Sequence, residues 1–138
     1  MERERLEALY RAVGDARRVL ILPHNDPDPD AIGSALALGH LLNTELGTEA
    51  VVAYRGLIGR AEKQALVRYL GHPLRRVTNR DLQGDMPIAL VDTQPGMGNH
   101  ALPRERRAAI VFDHHPWNEQ TASAVFADVR TGVGATST

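Results

Sequence analysis

Three short apolar runs in this sequence each end at residues that can bind a metal ion. The runs and the residues that follow them are 19–22 with His24, 88–91 with Asp92, and 108–112 with Asp113. Apolar runs of this length are typical of buried strands in a parallel sheet. Because open parallel sheets bind ligands beyond the carboxyl ends of their strands, neighbouring strands would bring these residues together.

Helical segments separate the predicted strands. Apolar residues at helical spacing predict helices over residues 2–14, 32–46 and 60–70. Strands are expected at 18–22, 49–54, 74–78, 87–92, 108–113 and 125–129. This alternation predicts an α/β fold with a mainly parallel sheet flanked by helices. We also expect a short helical turn over 103–107 and the start of a helix over 132–138. Because this last element begins but does not continue, we expect residues 1–138 to be one domain that is incomplete at its C-terminal end.

Composition narrows the class of protein. With 138 residues, 43% hydrophobic content and a formal charge of −1, the chain resembles one globular domain without the basic surplus of many nucleic-acid-binding proteins. It contains no cysteine, so a bound metal ion would need nitrogen and oxygen ligands. Because no signal peptide and no apolar run of membrane-spanning length is present, we expect a cytoplasmic protein without a membrane partner.

The loop after the first predicted strand concentrates candidate metal ligands. His24, Asp28 and Asp30 form the pattern H-x-x-x-D-x-D, and Pro27 and Pro29 restrict the backbone between them. Carboxylates held this close together repel one another unless a cation lies among them. Mixed imidazole and carboxylate ligands without sulfur favour Mn²⁺, Mg²⁺, Fe²⁺ or Co²⁺.

Asp92 and His114 extend this set to two metal sites. Two metal ions about 3.5–4 Å apart can bind the attacking and leaving oxygens of a phosphoryl displacement. Taken singly, these residues also fit a solvated acidic turn, a surface histidine pair and an ordinary strand-end aspartate. Their joint placement after three apolar strands favours a metal site that hydrolyses phosphoesters or phosphoanhydrides.

The same residues carry a resemblance to a known family. The segment HNDPDPDAIGS resembles the first motif of the DHH phosphoesterases, and VDT, which contains Asp92, resembles their second. Asp113-His114-His115 is similar to the third motif, which gives the family its name. The motifs match in order and spacing over residues 18–138, and the resemblance implies a DHH-type N-terminal catalytic domain.

The resemblance also implies metal ligands. One manganese ion would be held by His24 and Asp28, the other by Asp30 and His114, with Asp92 bridging the two. Co²⁺ or Mg²⁺ could replace manganese in such a set.

Further residues are predicted to act around the metal ions. The resemblance implies that His115 faces the substrate phosphate and that Asp113 orients the histidine pair. Gln94, Asn99 and His100 follow Asp92 closely enough to line the pocket, and Asn99 and His100 are our candidates for substrate binding.

Two features depart from the family pattern. Pro29 replaces the glycine that usually separates the two aspartates of the first motif, which stiffens the loop. A fourth-motif aspartate and a C-terminal substrate-binding domain would both lie beyond Thr138. We therefore expect residues 1–138 alone to be nearly inactive.

The preferred interpretation is manganese-dependent phosphoester hydrolysis on a nucleotide or short oligonucleotide, and the resemblance allows a homodimer. One alternative is a metal-binding or ligand-sensing domain without activity in this form. Another is a phosphoanhydride hydrolase of the pyrophosphatase or exopolyphosphatase type. A plain nucleotide-binding module is disfavoured because the sequence lacks G-x-G-x-x-G and P-loop patterns.

Overall fold

Strands and helices alternate along the chain as the sequence predicts. The computed structural model describes residues 2–71 and 74–138. In chain order the elements are α1 (Glu2–Val13), β1 (Arg18–Pro23), α2 (Pro29–Leu46), β2 (Glu49–Tyr54), α3 (Arg60–Leu70), β3 (Arg75–Arg76), α4 (Asn79–Gln83), β4 (Ile88–Val91), β5 (Ile110–Asp113) and, after a 3₁₀ helix (Glu119–Ser123), β6 (Phe126–Val129). No helix within these ranges has the length and apolar content needed to span a membrane.

The six strands form one sheet in the order β3-β2-β1-β4-β5-β6, and every pair is parallel. The α/β fold predicted from the sequence is therefore confirmed. Ile21 of β1 pairs with Val52 of β2 on one side and with Ala89 of β4 on the other. The direction in which the chain adds strands reverses between β1 and β4, and such a switch point opens a crevice at the carboxyl edge of the sheet.

Strand β1 is buried on both faces. Val19 and Ile21 pack into a cluster with α1 and α2, whereas Leu20 and Leu22 pack into a second cluster on the other face. All four side chains are at most 1% exposed. A strand covered on both faces has no solvent-facing positions, which explains why its sequence is a continuous apolar run.

Helix α2 begins at Pro29, three residues before the start predicted from the sequence. Oδ1 of Asp28 accepts a hydrogen bond of 2.9 Å from the backbone N–H of Ala31, so Asp28 is the N-cap. Pro29 occupies the first helical position, where a missing N–H costs nothing. As a result, Asp30 lies in the first turn of the helix and has a defined direction.

The predicted strand 74–78 is reduced to Arg75–Arg76, because Thr78 caps a helix that the sequence analysis missed. The Thr78 hydroxyl accepts from the N–H of Asp81, and the Asp81 carboxylate accepts from the N–H of Thr78. This reciprocal pair is a capping box, and it starts α4. The spacing Thr-x-x-Asp was the signal for it in the sequence.

Neither of the two remaining helical predictions is a regular helix in the structure. Residues 103–107 form a turn that is held in place by Arg106, whose guanidinium donates to the carbonyl oxygens of Leu82, Gly84 and Met86. Residues 132–138 form turns and bends rather than the start of a helix. The backbone N–H groups of Thr136 and Ser137 donate to the carboxylate of Asp30.

Candidate metal centre

A pocket of about 510 Å³ opens at the carboxyl edge of the sheet, over the ends of β1, β4 and β5. Most of its lining residues are polar: His24, Asp28, Asp30, Asp92, Asn99, His114, His115, Gly134 and Ala135. All five predicted metal ligands line this one pocket. They come from loops that are distant in sequence, and the parallel strands bring them together.

His24 follows β1 directly and lies between two carboxylates. Its Nε2 atom is 3.7 Å from Oδ2 of Asp28 and 3.4 Å from Oδ2 of Asp92. Its Nδ1 atom is 2.7 Å from the carbonyl oxygen of Asn25, which makes Nδ1–H the donor and leaves Nε2 facing the carboxylates. The hydrogen bond with Asp92 raises the pKa of His24 to about 9 although burial opposes the shift. A cation bound here would have to displace the Nε2 proton.

Asp92 is the buried centre of the pocket. It has a φ of 60°, in the left-handed region, where aspartate is tolerated better than most residues. This turn ends β4 and directs the side chain between two histidines. Oδ2 is 3.4 Å from Nε2 of His24, and Oδ1 is 3.3 Å from Nε2 of His114. Each carboxylate oxygen therefore faces a different imidazole, as a bridging ligand would require.

Asp30 lies on the other side of His114, with Oδ2 3.9 Å from its Nε2. Its two oxygens accept hydrogen bonds of 2.9 Å and 2.8 Å from the backbone N–H groups of Thr136 and Ser137. Burial tends to raise the pKa of Asp30, but the hydrogen bonds from Ser137 and Thr136 outweigh it and lower the pKa below its usual value. Asp30 therefore stays ionised, which a metal ligand must be.

The donor atoms suit divalent cations. Among the described residues, two groups of three have ligand atoms within 4.8 Å of one another: His24 with Asp28 and Asp92, and Asp92 with His114 and His115. Metal bonds to nitrogen and oxygen of about 2.0–2.2 Å allow such separations. The second group differs from the predicted ligand set, because it contains His115 where Asp30 was expected. Nitrogen and carboxylate oxygen together fit Mn²⁺, Fe²⁺ or Co²⁺ better than Ca²⁺.

Asp113 lies behind the pocket, with its side chain fully buried. Its Oδ1 atom is 2.7 Å from Nδ1 of His115, and its Oδ2 atom accepts a hydrogen bond of 2.7 Å from Nε2 of Gln94. The carboxylate therefore fixes one ring nitrogen of His115. The other nitrogen, Nε2, is left for a ligand in the pocket.

The three loop residues predicted to line the pocket have different positions. Asn99 does line it, and its Oδ1 atom accepts a hydrogen bond of 2.5 Å from the hydroxyl of Thr93. His100 is not among the lining residues, and its Nδ1 atom accepts a hydrogen bond from the N–H of Leu102. Burial lowers the pKa of His100. Gln94 is also outside the lining residues, since its side chain is completely buried.

The acidic loop contains a third aspartate that serves the fold. Oδ1 of Asp26 accepts a hydrogen bond of 2.7 Å from the N–H of Leu57, and its own N–H donates to the carbonyl oxygen of Arg55. This joins the loop after β1 to the loop after β2. Asp26 is therefore directed away from the pocket although its neighbours in sequence face it.

Thr136 and Ser137 are contacts of the candidate site that the sequence analysis missed. The Thr136 hydroxyl donates to Asp92, and both backbone N–H groups donate to Asp30. Nothing local predicted this, because the partners lie more than 40 residues away in sequence. The segment GATST was an indication only of a turn or a helix start.

Comparisons with known proteins give a family match and a sequence relative. The sequence model of the DHH family, N-terminal domain, matches residues 18–138. The uncharacterized protein MJ1633 of Methanocaldococcus jannaschii is 41% identical over 120 residues, which are 86% of this chain and 24% of that protein. The chain thus spans about a quarter of the length of this relative.

A solved structure shares the fold. The crystal structure of an exopolyphosphatase-related protein from Bacteroides fragilis superposes with a TM-score of 0.67 at 17% sequence identity. The match covers 97% of this chain and 41% of that one. At this level of identity the likeness concerns the fold alone.

Proposed function

The chain belongs to the DHH family, and from this premise we propose that the protein hydrolyses phosphoesters with two divalent cations, manganese being the expected metal. The observation that carries the proposal is the position of Asp92, whose two carboxylate oxygens face His24 and His114 at 3.4 Å and 3.3 Å. A carboxylate held between two imidazoles in a pocket is well placed to join two metal ions.

The proposed ligand sets are those that the family resemblance implies, and the contacts are compatible with them. His24 and Asp28 would hold one ion, and Asp30 and His114 the other, with Asp92 shared. The hydrogen bonds from Thr136 and Ser137 to Asp30 are compatible with this assignment. An ionised carboxylate oxygen can accept a hydrogen bond and a metal bond together, since it has two lone pairs.

His115 is proposed to contact the substrate phosphate. Asp113 binds its Nδ1 atom, so the imidazole presents Nε2 to the pocket, next to the proposed ligands Asp92 and His114. A protonated Nε2 would donate to a phosphate oxygen and offset its charge. Bound divalent ions would supply Lewis-acid activation and orient the phosphoryl group. Asn99, on the wall of the pocket, is proposed to orient the substrate.

We propose a nucleotide or short oligonucleotide as the substrate. The first motif HNDPDPDAIGS resembles that of the nucleotide-processing branch of the family. The pocket walls are polar or small, which suits a phosphoryl group, and the described lining residues include imidazoles but no Phe, Tyr or Trp. Base contacts would therefore come from outside this pocket, as expected if residues 1–138 are the catalytic domain of a larger enzyme.

A phosphoanhydride substrate is the second candidate. It rests on the family resemblance, which includes phosphoanhydride hydrolases, and a protein related to exopolyphosphatases shares the fold. The same ligand set would serve, because both reactions transfer a phosphoryl group to water. The substrate would then be pyrophosphate or polyphosphate in place of a phosphodiester.

To test the proposal, the full-length protein is assayed with four substrates: bis(4-nitrophenyl) phosphate, a dinucleotide, pyrophosphate and polyphosphate. Each assay is run with Mn²⁺, Co²⁺, Mg²⁺ or EDTA. We expect hydrolysis of the first two substrates with Mn²⁺ or Co²⁺ and its loss in Asp92→Ala. The matched control is Asp85→Ala, which changes an exposed aspartate outside the pocket.

The outcomes separate the candidates. Activity that persists in EDTA or in Asp92→Ala would contradict the two-metal proposal. Preference for pyrophosphate or polyphosphate would favour the second candidate. Binding of Mn²⁺ without hydrolysis of any substrate would favour a metal-binding or ligand-sensing domain. We further expect residues 1–138 alone to turn over substrate far more slowly than the full-length protein. The protein is also proposed to be cytoplasmic and to form a homodimer. Cell fractionation would check the first of these, and light scattering the second.

A further inference from the structure

Gln94 is a completely buried polar side chain with every hydrogen-bonding group satisfied. The two N–H groups of its Nε2 atom donate to three acceptors, one of them shared: Oδ2 of Asp113 at 2.7 Å and the carbonyl oxygens of Pro116 and His115 at 3.0 Å and 3.3 Å. Its Oε1 atom accepts from the N–H of Asn118 at 2.8 Å and from the hydroxyl of Thr121 at 2.7 Å. Removing this side chain would leave several buried groups without partners.

The orientation of this amide is fixed by its surroundings. One end faces a carboxylate and two carbonyl oxygens, all of which accept hydrogen bonds. The other end faces the N–H of Asn118 and the hydroxyl of Thr121. Exchanging the oxygen and nitrogen of Gln94 would place acceptors against acceptors. The site therefore selects a neutral group that donates on one side and accepts on the other.

Gln94 joins two loops that leave neighbouring strands. It follows Asp92 by two residues after β4, whereas its partners belong to β5 and to the segment that follows β5. Asp113 is the link to the pocket, because its Oδ1 atom is 2.7 Å from Nδ1 of His115. Gln94 and His115 thus bind the two oxygens of one buried carboxylate.

We propose that Gln94 is a positioning residue, which sets the direction of the His115 ring through the carboxylate of Asp113. The inference rests on the proposed function only in giving His115 a role toward the phosphate. Without the amide donor, the Asp113 carboxylate loses its fixed plane and the His115 ring loses its single orientation. Partners that orient an active-site group in this way typically contribute about 10- to 100-fold to activity.

The first test replaces the amide by an apolar side chain of similar length. Gln94→Met removes all five hydrogen bonds and is expected to lower kcat about 10- to 100-fold, with KM and Mn²⁺ affinity nearly unchanged. The matched control is Gln120→Met, the same chemical change at an exposed position in the 3₁₀ helix. The control should keep its activity.

A second pair of variants allows for the case in which Gln94→Met does not fold. Thr121→Val removes the hydroxyl that binds Oε1 of Gln94, and Thr121→Ser keeps it. We expect Thr121→Val to lower kcat about 3- to 10-fold, since one anchoring hydrogen bond is lost, and Thr121→Ser to restore most of it. If the Thr121 hydroxyl only stabilised the fold, Thr121→Val would lower the free energy of unfolding and leave the kcat of the folded protein unchanged.

A spectroscopic readout does not depend on activity. In ¹⁵N-histidine-labelled protein, the Nδ1–H proton of His115 should resonate far downfield, because it is bound to a buried carboxylate at 2.7 Å. This resonance should shift or disappear in Gln94→Met and persist in Gln120→Met. If no phosphoester is hydrolysed by the wild type, the proposed function fails, and the resonance alone then decides whether Gln94 positions His115.

The results that would overturn the inference are definite. They are an unchanged resonance in Gln94→Met, a kcat within about twofold of the wild type in an active enzyme, or a fall in Mn²⁺ affinity as large as the fall in kcat. The last result would mean that the metal ligands, and not His115, had been displaced.

Discussion

The hydroxyl of Thr136 donates a hydrogen bond of 2.7 Å to Oδ1 of Asp92, 44 residues earlier in the chain. The same residue donates its backbone N–H to Asp30. Residues 136 and 137 thus hold two of the proposed metal-binding carboxylates in place. Charge-assisted hydrogen bonds of this kind are among the strongest in proteins.

Replacing Thr136 by valine should weaken metal binding. Thr136→Val keeps the shape and the backbone hydrogen bond but removes the hydroxyl that orients Asp92. We expect Mn²⁺ affinity to fall about tenfold, as is usual when a group that orients a metal ligand is lost. Titration calorimetry would measure this, with Thr136→Ser as the variant that keeps the hydroxyl. Equal affinities for the two variants would show that the hydroxyl does not orient Asp92.

Gly56 should tolerate no side chain. It has a φ of 92°, and a Cβ atom placed there would lie 2.1 Å from Oδ1 of Asp26. Gly56→Ala combines backbone strain with a clash against an anchored carboxylate, and should lower the free energy of unfolding by about 2–4 kcal/mol. Gly98, with a φ of 75° and nothing within 4 Å, separates the two effects.

Gly98→Ala carries the strain without the clash and should cost about 1–2 kcal/mol. Urea unfolding of the two variants would measure both values. A loss in Gly56→Ala no larger than that in Gly98→Ala would mean that Asp26 moves aside freely.

Asp81 should make the stability depend on pH. Both of its oxygens are 2.7 Å from guanidinium nitrogens of Arg75, and hydrogen bonds from Arg75 and Thr78 hold its pKa well below the usual range, although burial opposes the shift. A lowered pKa stabilises the fold above the pKa of an unfolded aspartate, about 3.9, and this contribution is lost as the pH falls toward the folded value.

Asp81→Asn removes that contribution and part of the cap of α4. At pH 7 the free energy of unfolding should fall by about 1–2 kcal/mol, a modest value because the Arg75 side chain is 43% exposed. The difference from the wild type should shrink below about pH 4. Asp85→Asn is the control, and a difference that stays constant down to pH 2 would contradict the assignment.

Two glycines of α2 should respond in opposite directions to alanine. Gly33 has nothing within 4 Å of an added Cβ, so Gly33→Ala should raise the free energy of unfolding by about 0.5–1 kcal/mol through helix propensity. At Gly39 the added Cβ would lie 3.0 Å from the Cβ of Ala50 in β2.

For Gly39→Ala, overpacking should cost about 1–3 kcal/mol, because β2 is paired in the sheet and cannot move away from the added methyl group. This cost outweighs the gain from helix propensity. The variant should therefore be less stable than the wild type. Thermal unfolding of both variants would check the two signs, and an increase in stability for Gly39→Ala would mean that the α2 contact is looser than the distance indicates.

Much of the fold could be predicted from the sequence, because the relevant signals are local. A continuous apolar run such as 19–22 indicates a strand that is buried on both faces. Parallel strands end at the same edge of the sheet, so the sequence predicted that His24, Asp92 and His114 would converge if their three strands were neighbours. The start of α2 was placed too late because Asp28 was interpreted only as a metal ligand. In the structure its carboxylate caps the helix and also lies next to His24.

The missed features depend on contacts between distant residues. The role of Gln94 arises from its burial against Asp113 and the segment that follows it, and no local pattern indicates which glutamine will be buried. Similarly, nothing local in residues 132–138 indicated that the N–H groups of Thr136 and Ser137 would bind the carboxylate of Asp30. In both cases the partner is distant in sequence, so no local pattern could predict the contact.

The parallel sheet separates the pocket from the opposite edge, where Asp85 lies exposed in the loop before β4. Since the sequence contains no cysteine, Asp85→Cys would introduce a single reactive thiol. A fluorophore or a surface linker attached there would stand at the far end of the strands from every proposed ligand. The fold thus offers a point of attachment through which the protein can be immobilised or made into an optical reporter while its pocket faces the solution.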